Sequence, residues 1–295
     1  MTISLGISAI NWVNEDILSL GDHYTAEQVL SDMSQLGFAG TEFCRKFPRD
    51  AASLKALLSQ YNMVMSSQWN SVHFSDPARK DDELEKYKQR VDFLAEMGCK
   101  HVVTCESGNT FEDLTQNKVS IEELSEEQWA SLIDGLHQAG QYCKDKGMKL
   151  IYHYHGETVI EKPEQIDRLM SSTNPELVHL LYDTGHAYYG GYDPLELLNR
   201  YYDRIAYIHL KDIRQAQLTE LIQSGLRFRT GVQNGVFTVP GDGCIDFAPI
   251  IQQLLDRGYE GWIIIEAEQD PGIADPVIYA RQALTYLKAI GLTTA

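Results

Sequence analysis

The chain has 295 residues, enough for one large barrel or two modest domains, and an ordinary globular composition with 43% hydrophobic and 23% charged residues. Its formal charge of −17 and pI near 4.9 repel phosphate backbones and anionic headgroups, so neither nucleic acid nor membrane is expected as a partner. No apolar run approaches bilayer-spanning length, and the start MTISLGISAINWVN lacks the basic and apolar regions of a secretory signal. The five cysteines (Cys44, Cys99, Cys105, Cys143, Cys244) are odd in number without CxxC spacing, the pattern of reduced thiols in a cytoplasmic protein.

Short β-rich runs alternate with longer amphipathic segments eight times. Residues 3–8 read as a strand and 25–36 as a helix started by Thr25; 38–43 is a strand and 50–61 a helix with Asp50 as N-cap. A strand at 63–69 and a helix at 81–97 follow, then a strand at 100–105. After a polar loop, 125–146 is a long helix with a Ser-x-x-Gln start. The fifth strand is 148–155 with a helix at 163–170, the sixth 177–183 with a short helix near 194–202, and the seventh 204–210. A long irregular stretch precedes a helix at 246–256; the last strand is 261–267 and the last helix 275–290. Gly37, Gly98, Gly147 and Gly258 fall between helix and strand, where a left-handed helix cap asks for glycine. Eight β–α units without a composition break argue for one domain over residues 1–295, a closed (β/α)8 TIM barrel. A doubly wound sheet is the alternative, but no Gly-rich phosphate loop follows the first strand. The stretch 213–244 exceeds an ordinary βα loop, carries Arg214, Arg227 and Arg229, and leaves through VPGDG, which makes it a lid or pocket wall.

Barrel enzymes draw their reactive groups from the C-terminal ends of strands. Here those ends carry Asn11 and Trp12; Glu42 with Arg45 and Lys46; Trp69, Asn70 and His73; Glu106; His153 and His155; Asp183 and His186; His209 and Lys211; Glu266 and Glu268. In LIYHYHG, His153 and His155 share a face, as do Glu266 and Glu268 in IIIEAEQD. Four successive strands ending in His, Asp, His and Glu form a donor set for Zn²⁺, Mn²⁺ or Co²⁺. Asp183, His209 and Glu266 are the core of that set. His153 joins it, with His155 and Glu157 as alternatives on the same strand. Trp12 and Trp69 are placed to wall a pocket, whereas Trp129 and Trp262 read as packing residues and His23, His101, His137 and His179 as structural.

With DTGHAYYGGYD, HLKD and a last strand ending in Glu, the chain resembles the xylose-isomerase-like, AP-endonuclease-type TIM barrels. GTEFCRKFP, YHYHGE, GVFTVPGDG and EAEQDP narrow the resemblance to the inosose dehydratases over nearly the whole chain. It implies one divalent metal, Mn²⁺ or Co²⁺ foremost, held by His153, Asp183, His209 and Glu266. Many members place glutamate on strand five where this chain has histidine, which removes the carboxylate base that isomerases use. Dehydration of 2-keto-myo-inositol needs a Lewis acid, a base for the α-proton and an acid for the departing hydroxyl. His186 is the expected base; Lys211, Glu157 and His155 are candidates for the acid, and Asn11, Trp12, Glu42, Trp69 and Arg229 for substrate contacts. The expected partner is a small polyol ketone, with self-association left open. The rivals are a sugar or keto-acid isomerase or epimerase and a non-catalytic sugar-binding barrel. Nucleic-acid repair, the other activity of such barrels, conflicts with the acidic charge.

Overall fold

The computed structural model describes residues 2–110, 121 and 123–293. In chain order the elements begin with β1 (Ile3–Ile7), α1 (Ala26–Gln35), β2 (Gly40–Thr41), α2 (Ala51–Gln60), β3 (Val64–Met65) and β4 (Trp69–Val72). Next come α3 (Lys80–Met97), β5 (His101–Glu106), α4 (Glu126–Asp145), β6 (Lys149–Tyr152), α5 (Pro163–Ser172) and β7 (Val178–Asp183). Then follow α6 (Thr184–Tyr189), α7 (Pro194–Tyr201), β8 (Ile205–Leu210), β9 (Asp212–Ile213), α8 (Gln215–Ser224) and α9 (Phe228–Gln233). The last are β10 (Phe237–Thr238), α10 (Phe247–Asp256), β11 (Gly261–Ile265) and α11 (Pro276–Ala289).

The caps read from sequence are in place. Thr25 accepts from the Gln28 amide, Asp50 from that of Ser53, and Ser125 with Gln128 closes a capping box. Gly37, Gly98, Gly147 and Gly258 all adopt positive φ. The strand expected at 63–69 differs. It is two strands, β3 and β4, interrupted at residues 66–68. The stretch after β8 is not irregular: it holds α8, α9 and an antiparallel β9–β10 ribbon pairing Ile213 with Phe237. Most of the polar loop before α4, residues 111–120 and 122, lies outside the described residues. Among those described, no helix is long and apolar enough to cross a membrane.

Two compact units are present, one from residues up to 66 with those from 208 on, the other from residues 67–207. In the first, β1 pairs in parallel with β2 and β11, β2 with β3, and β11 with the end of β8. Ile264 stands opposite His209 in that register. Leu5, Ile7, Ile263, Ile264 and Ile265 are buried, so the strand ends leave an apolar floor. Close approach of β1 and β2 depends on glycine. A Cβ at Gly6 would lie 2.6 Å from Ile264 Cδ1 and 2.8 Å from the Gly40 carbonyl oxygen.

In the second unit β4, β5, β6 and β7 pair in parallel, with Thr104 opposite Tyr152 and Tyr152 opposite Leu180. Its strand starts carry His101 and His179. Burial first, then the charge of Lys149, pulls both imidazoles down to about 4 from the ordinary 6.5. At the other end of β5, burial raises Glu106 to about 7 although Ser75 donates to it through both its amide and its hydroxyl. The signs oppose. The histidines' contribution to stability is complete above pH 6.5 and is lost as pH falls toward about 4, whereas that of Glu106 is lost as pH rises from 4.5 through about 7. Relative to the native protein, a His101→Gln, His179→Gln double variant should therefore show a melting deficit that shrinks between pH 6.5 and pH 4. A deficit constant over that range would contradict the assignment.

Candidate metal and catalytic site

In the first unit the strand ends build a continuous chain of ionisable groups. His209 Nε2 lies 3.0 Å from Glu42 Oε1 and its Nδ1 3.0 Å from Glu266 Oε2. Lys211 Nζ reaches Glu266 Oε1 at 2.5 Å and Glu268 Oε2 at 2.8 Å. The two-residue spacing on β8 and after β11 puts each pair on one side of the sheet. All five residues are buried, and Lys211, fully so, lies above the Phe237 ring. Glu42, His209 and Glu266 present ligand atoms all within 4.8 Å of one another.

That donor set fits a divalent cation. Among these five groups three carboxylates face a single ammonium, so the buried chain carries excess negative charge that a cation would offset. One imidazole nitrogen of His209 can serve the ion while the other donates its N–H to a carboxylate, a common orienting arrangement. Glu42, expected as a substrate contact, is thus drawn among the donors. Lys211, a candidate acid, spans two carboxylates and holds Glu266 in place.

The supports of this chain were not read from sequence. Asn11 Oδ1 accepts from the Ala267 amide, between Glu266 and Glu268, so this expected substrate contact fixes the backbone bearing both. Trp12 is fully buried and donates its indole N–H to Asp32 on α1. Asp212, quoted only as part of HLKD, accepts from the amides of Ile213, Gly241, Gly243 and Ile245 and so ties the VPGDG turn to the end of β8. A Cβ at Gly243 would lie 2.3 Å from Asp212 Oδ1, which is why glycine stands there. Arg45 donates to the Asn14 and Leu18 carbonyls, and with Lys46 pairs with Asp22, holding that carboxylate down at about 2. Arg229 on α9 donates to the Asp16 carbonyl, which ties the 213–244 stretch to the segment after β1.

In the second unit four aromatic side chains converge. The ring centroids of His155 and His186 are 3.8 Å apart, and His153 lies 5.2 Å from His186. The edge of Trp69 meets His153 and His155 at 5.3 and 5.2 Å. Asp183 both caps α6, accepting from the His186 amide, and stands 3.6 Å from His153 Nε2. Tyr154, between the two histidines just past the end of β6, clamps the Asp183 backbone through its hydroxyl. Glu157, in the turn after these histidines, has φ 58°, which a non-glycine residue rarely adopts.

Backbone partners fix the tautomers. Nδ1 of His153 and of His155 each meets a carbonyl oxygen, of Tyr154 and Gly156 respectively, so Nδ1 carries the hydrogen and Nε2 a lone pair. His186 is the reverse. Its Nδ1 accepts from the Gly156 amide at 3.2 Å, which leaves the hydrogen on Nε2 of the neutral ring.

A family model described as xylose isomerase-like TIM barrel matches residues 30–290. The chain belongs to this family. The barrel class expected from the eight β–α units is therefore borne out. Within the xylose isomerase-like barrels, an inosose dehydratase of Geobacillus kaustophilus (strain HTA426) is 51% identical over 286 residues, 96% of this chain and 93% of that protein. One of Clostridium beijerinckii (strain ATCC 51743 / NCIMB 8052) is 43% identical over 288 residues, covering 97% and 96% of the two chains. These relatives place the chain among the carbon–oxygen lyases, as its motifs led us to expect. The fold is also that of a D-allulose 3-epimerase from Methylomonas sp., with a TM-score of 0.70, 18% identity and coverage of 98% and 97%. A probable 3-DHS dehydratase from Bacillus anthracis shares it, with a TM-score of 0.72, 12% identity and coverage of 98% and 99%.

Proposed function

We propose that the chain is a metal-dependent dehydratase that removes water from 2-keto-myo-inositol to give a trihydroxycyclohexane-dione. What supports the chemistry most is the buried Glu42–His209–Glu266–Lys211–Glu268 chain, with its excess of carboxylates. What supports the substrate is the name shared by relatives at 43% and 51% identity along nearly the full chain. The residues we assign to the metal are His153, Asp183, His209 and Glu266, the set implied by the motifs, with Glu42 beside His209. A divalent ion held by them would supply the Lewis acid that polarises the ketone and steadies the enolate.

The tautomers lead us to exchange the roles expected from sequence. His155, with a lone pair on Nε2, takes the proton α to the ketone; His186, with hydrogen on Nε2, gives a proton to the β-hydroxyl as it leaves. The C–H pair becomes the new double bond and the hydroxyl departs as water; the proton taken by His155 passes to the neighbouring His186 as that ring gives up its own, so neither ring is left charged. Lys211 orients Glu266, and Trp69 packs the histidines in place. Dialysis against a chelator should abolish turnover of keto-inositol, and Mn²⁺ or Co²⁺ should restore it. Full activity in a demonstrably metal-free sample would overturn the metal assignment.

A further inference from the structure

The segment after β11 carries a second polar feature that the chemistry above does not use. Gln269 is only 1% exposed, and neither its Nε2 nor its Oε1 has a hydrogen-bond partner among the described residues. A buried carboxamide without partners is costly, and structures seldom keep one without a use. Gln269 lines a cavity of about 390 Å³, within the range of small-molecule sites, together with Gln233, Asn234, Arg214, Tyr279 and Ile273. No residue lining this cavity belongs to the carboxylate–histidine chain.

The lining defines the chemistry of an occupant. Arg214 is the cation of the wall, but its guanidinium is already engaged by Asp242, the Gly235 carbonyl and Thr238, and the Asp270 carboxylate in the same wall would repel an anion while able to accept from a hydroxyl. Gln269, Gln233 and Asn234 offer carboxamides, each an acceptor beside two donors. A pair of vicinal hydroxyls complements that group, one donating to its oxygen and the other accepting from its nitrogen. Ile273 and Ala274 offer an apolar side for the C–H face of a ring. We propose that this cavity is a second binding site, for a small uncharged polyol of the cyclitol or sugar-alcohol class. Its occupant would bridge α9 and the segment after β11, through Gln233 and Gln269 respectively.

Calorimetric titration of the metal-loaded enzyme with myo-inositol tests this, read as the number and affinity of sites. Gln269→Leu removes the central carboxamide, and Ile273→Trp fills the cavity from a residue that is 81% exposed and so tolerant of change. Each variant should lose one class of sites, or bind there roughly tenfold more weakly, with melting temperature undiminished and turnover unchanged. That loss in either well-folded variant supports the site. Equal site number and affinity in the native protein and both variants would overturn it, and would leave any myo-inositol binding to the catalytic centre alone.

Discussion

Glu266→Ala should strip the divalent metal from the protein and lower kcat by roughly 10³-fold, while the secondary structure stays intact. Glu266 touches both His209 and Lys211, so its loss removes a donor and leaves the ammonium with Glu268 alone. Glu266→Gln keeps the shape but not the charge, and should lose metal almost as fully, because the excess of carboxylates is what draws the cation. Metal content by mass spectrometry, with circular dichroism as the folding control, separates these effects. Stoichiometric metal in a folded Glu266→Ala protein would remove Glu266 from the donor set.

His155→Asn and His186→Asn should both keep the metal and lower kcat by about 10²- to 10⁴-fold, but they should differ in heavy water. Without His186 the base is still present, so the α-proton of keto-inositol should exchange with solvent deuterium although no water is eliminated. Without His155 neither event should occur. The distinction rests on Gly156, whose amide donates to His186 Nδ1 and whose carbonyl meets His155 Nδ1. The opposite pattern, exchange surviving in His155→Asn alone, would return the base to His186.

The parts of this fold that depend on local chemistry were legible in the sequence. Thr25, Asp50 and Ser125 announce helix starts because each supplies an oxygen to an otherwise unpaired amide. Elements set by tertiary context were harder to read. The helix α6 begins at Thr184, directly after Asp183 ends an apolar strand, so the strand signal hides it. By contrast, α8 carried readable signals, with Leu218 and Leu221 three apart and a C-cap at Gly225 with φ 60°. The polar strand ends could be picked out one by one because His, Asp and Glu are expensive beside runs such as Ile263–Ile265. Their relations could not. The span of Lys211 across two carboxylates, the four amides gathered by Asp212 and the opposite tautomers of His155 and His186 depend on rotamers and on backbone groups from distant segments, which a single sequence does not display.

Whether this chain eliminates water from its substrate is decided by the mass of the product. Metal-loaded enzyme incubated with 2-keto-myo-inositol should convert it to a compound lighter by one water. A product of unchanged mass that has taken up solvent deuterium would contradict the elimination and make the chain an isomerase or epimerase built on the same barrel.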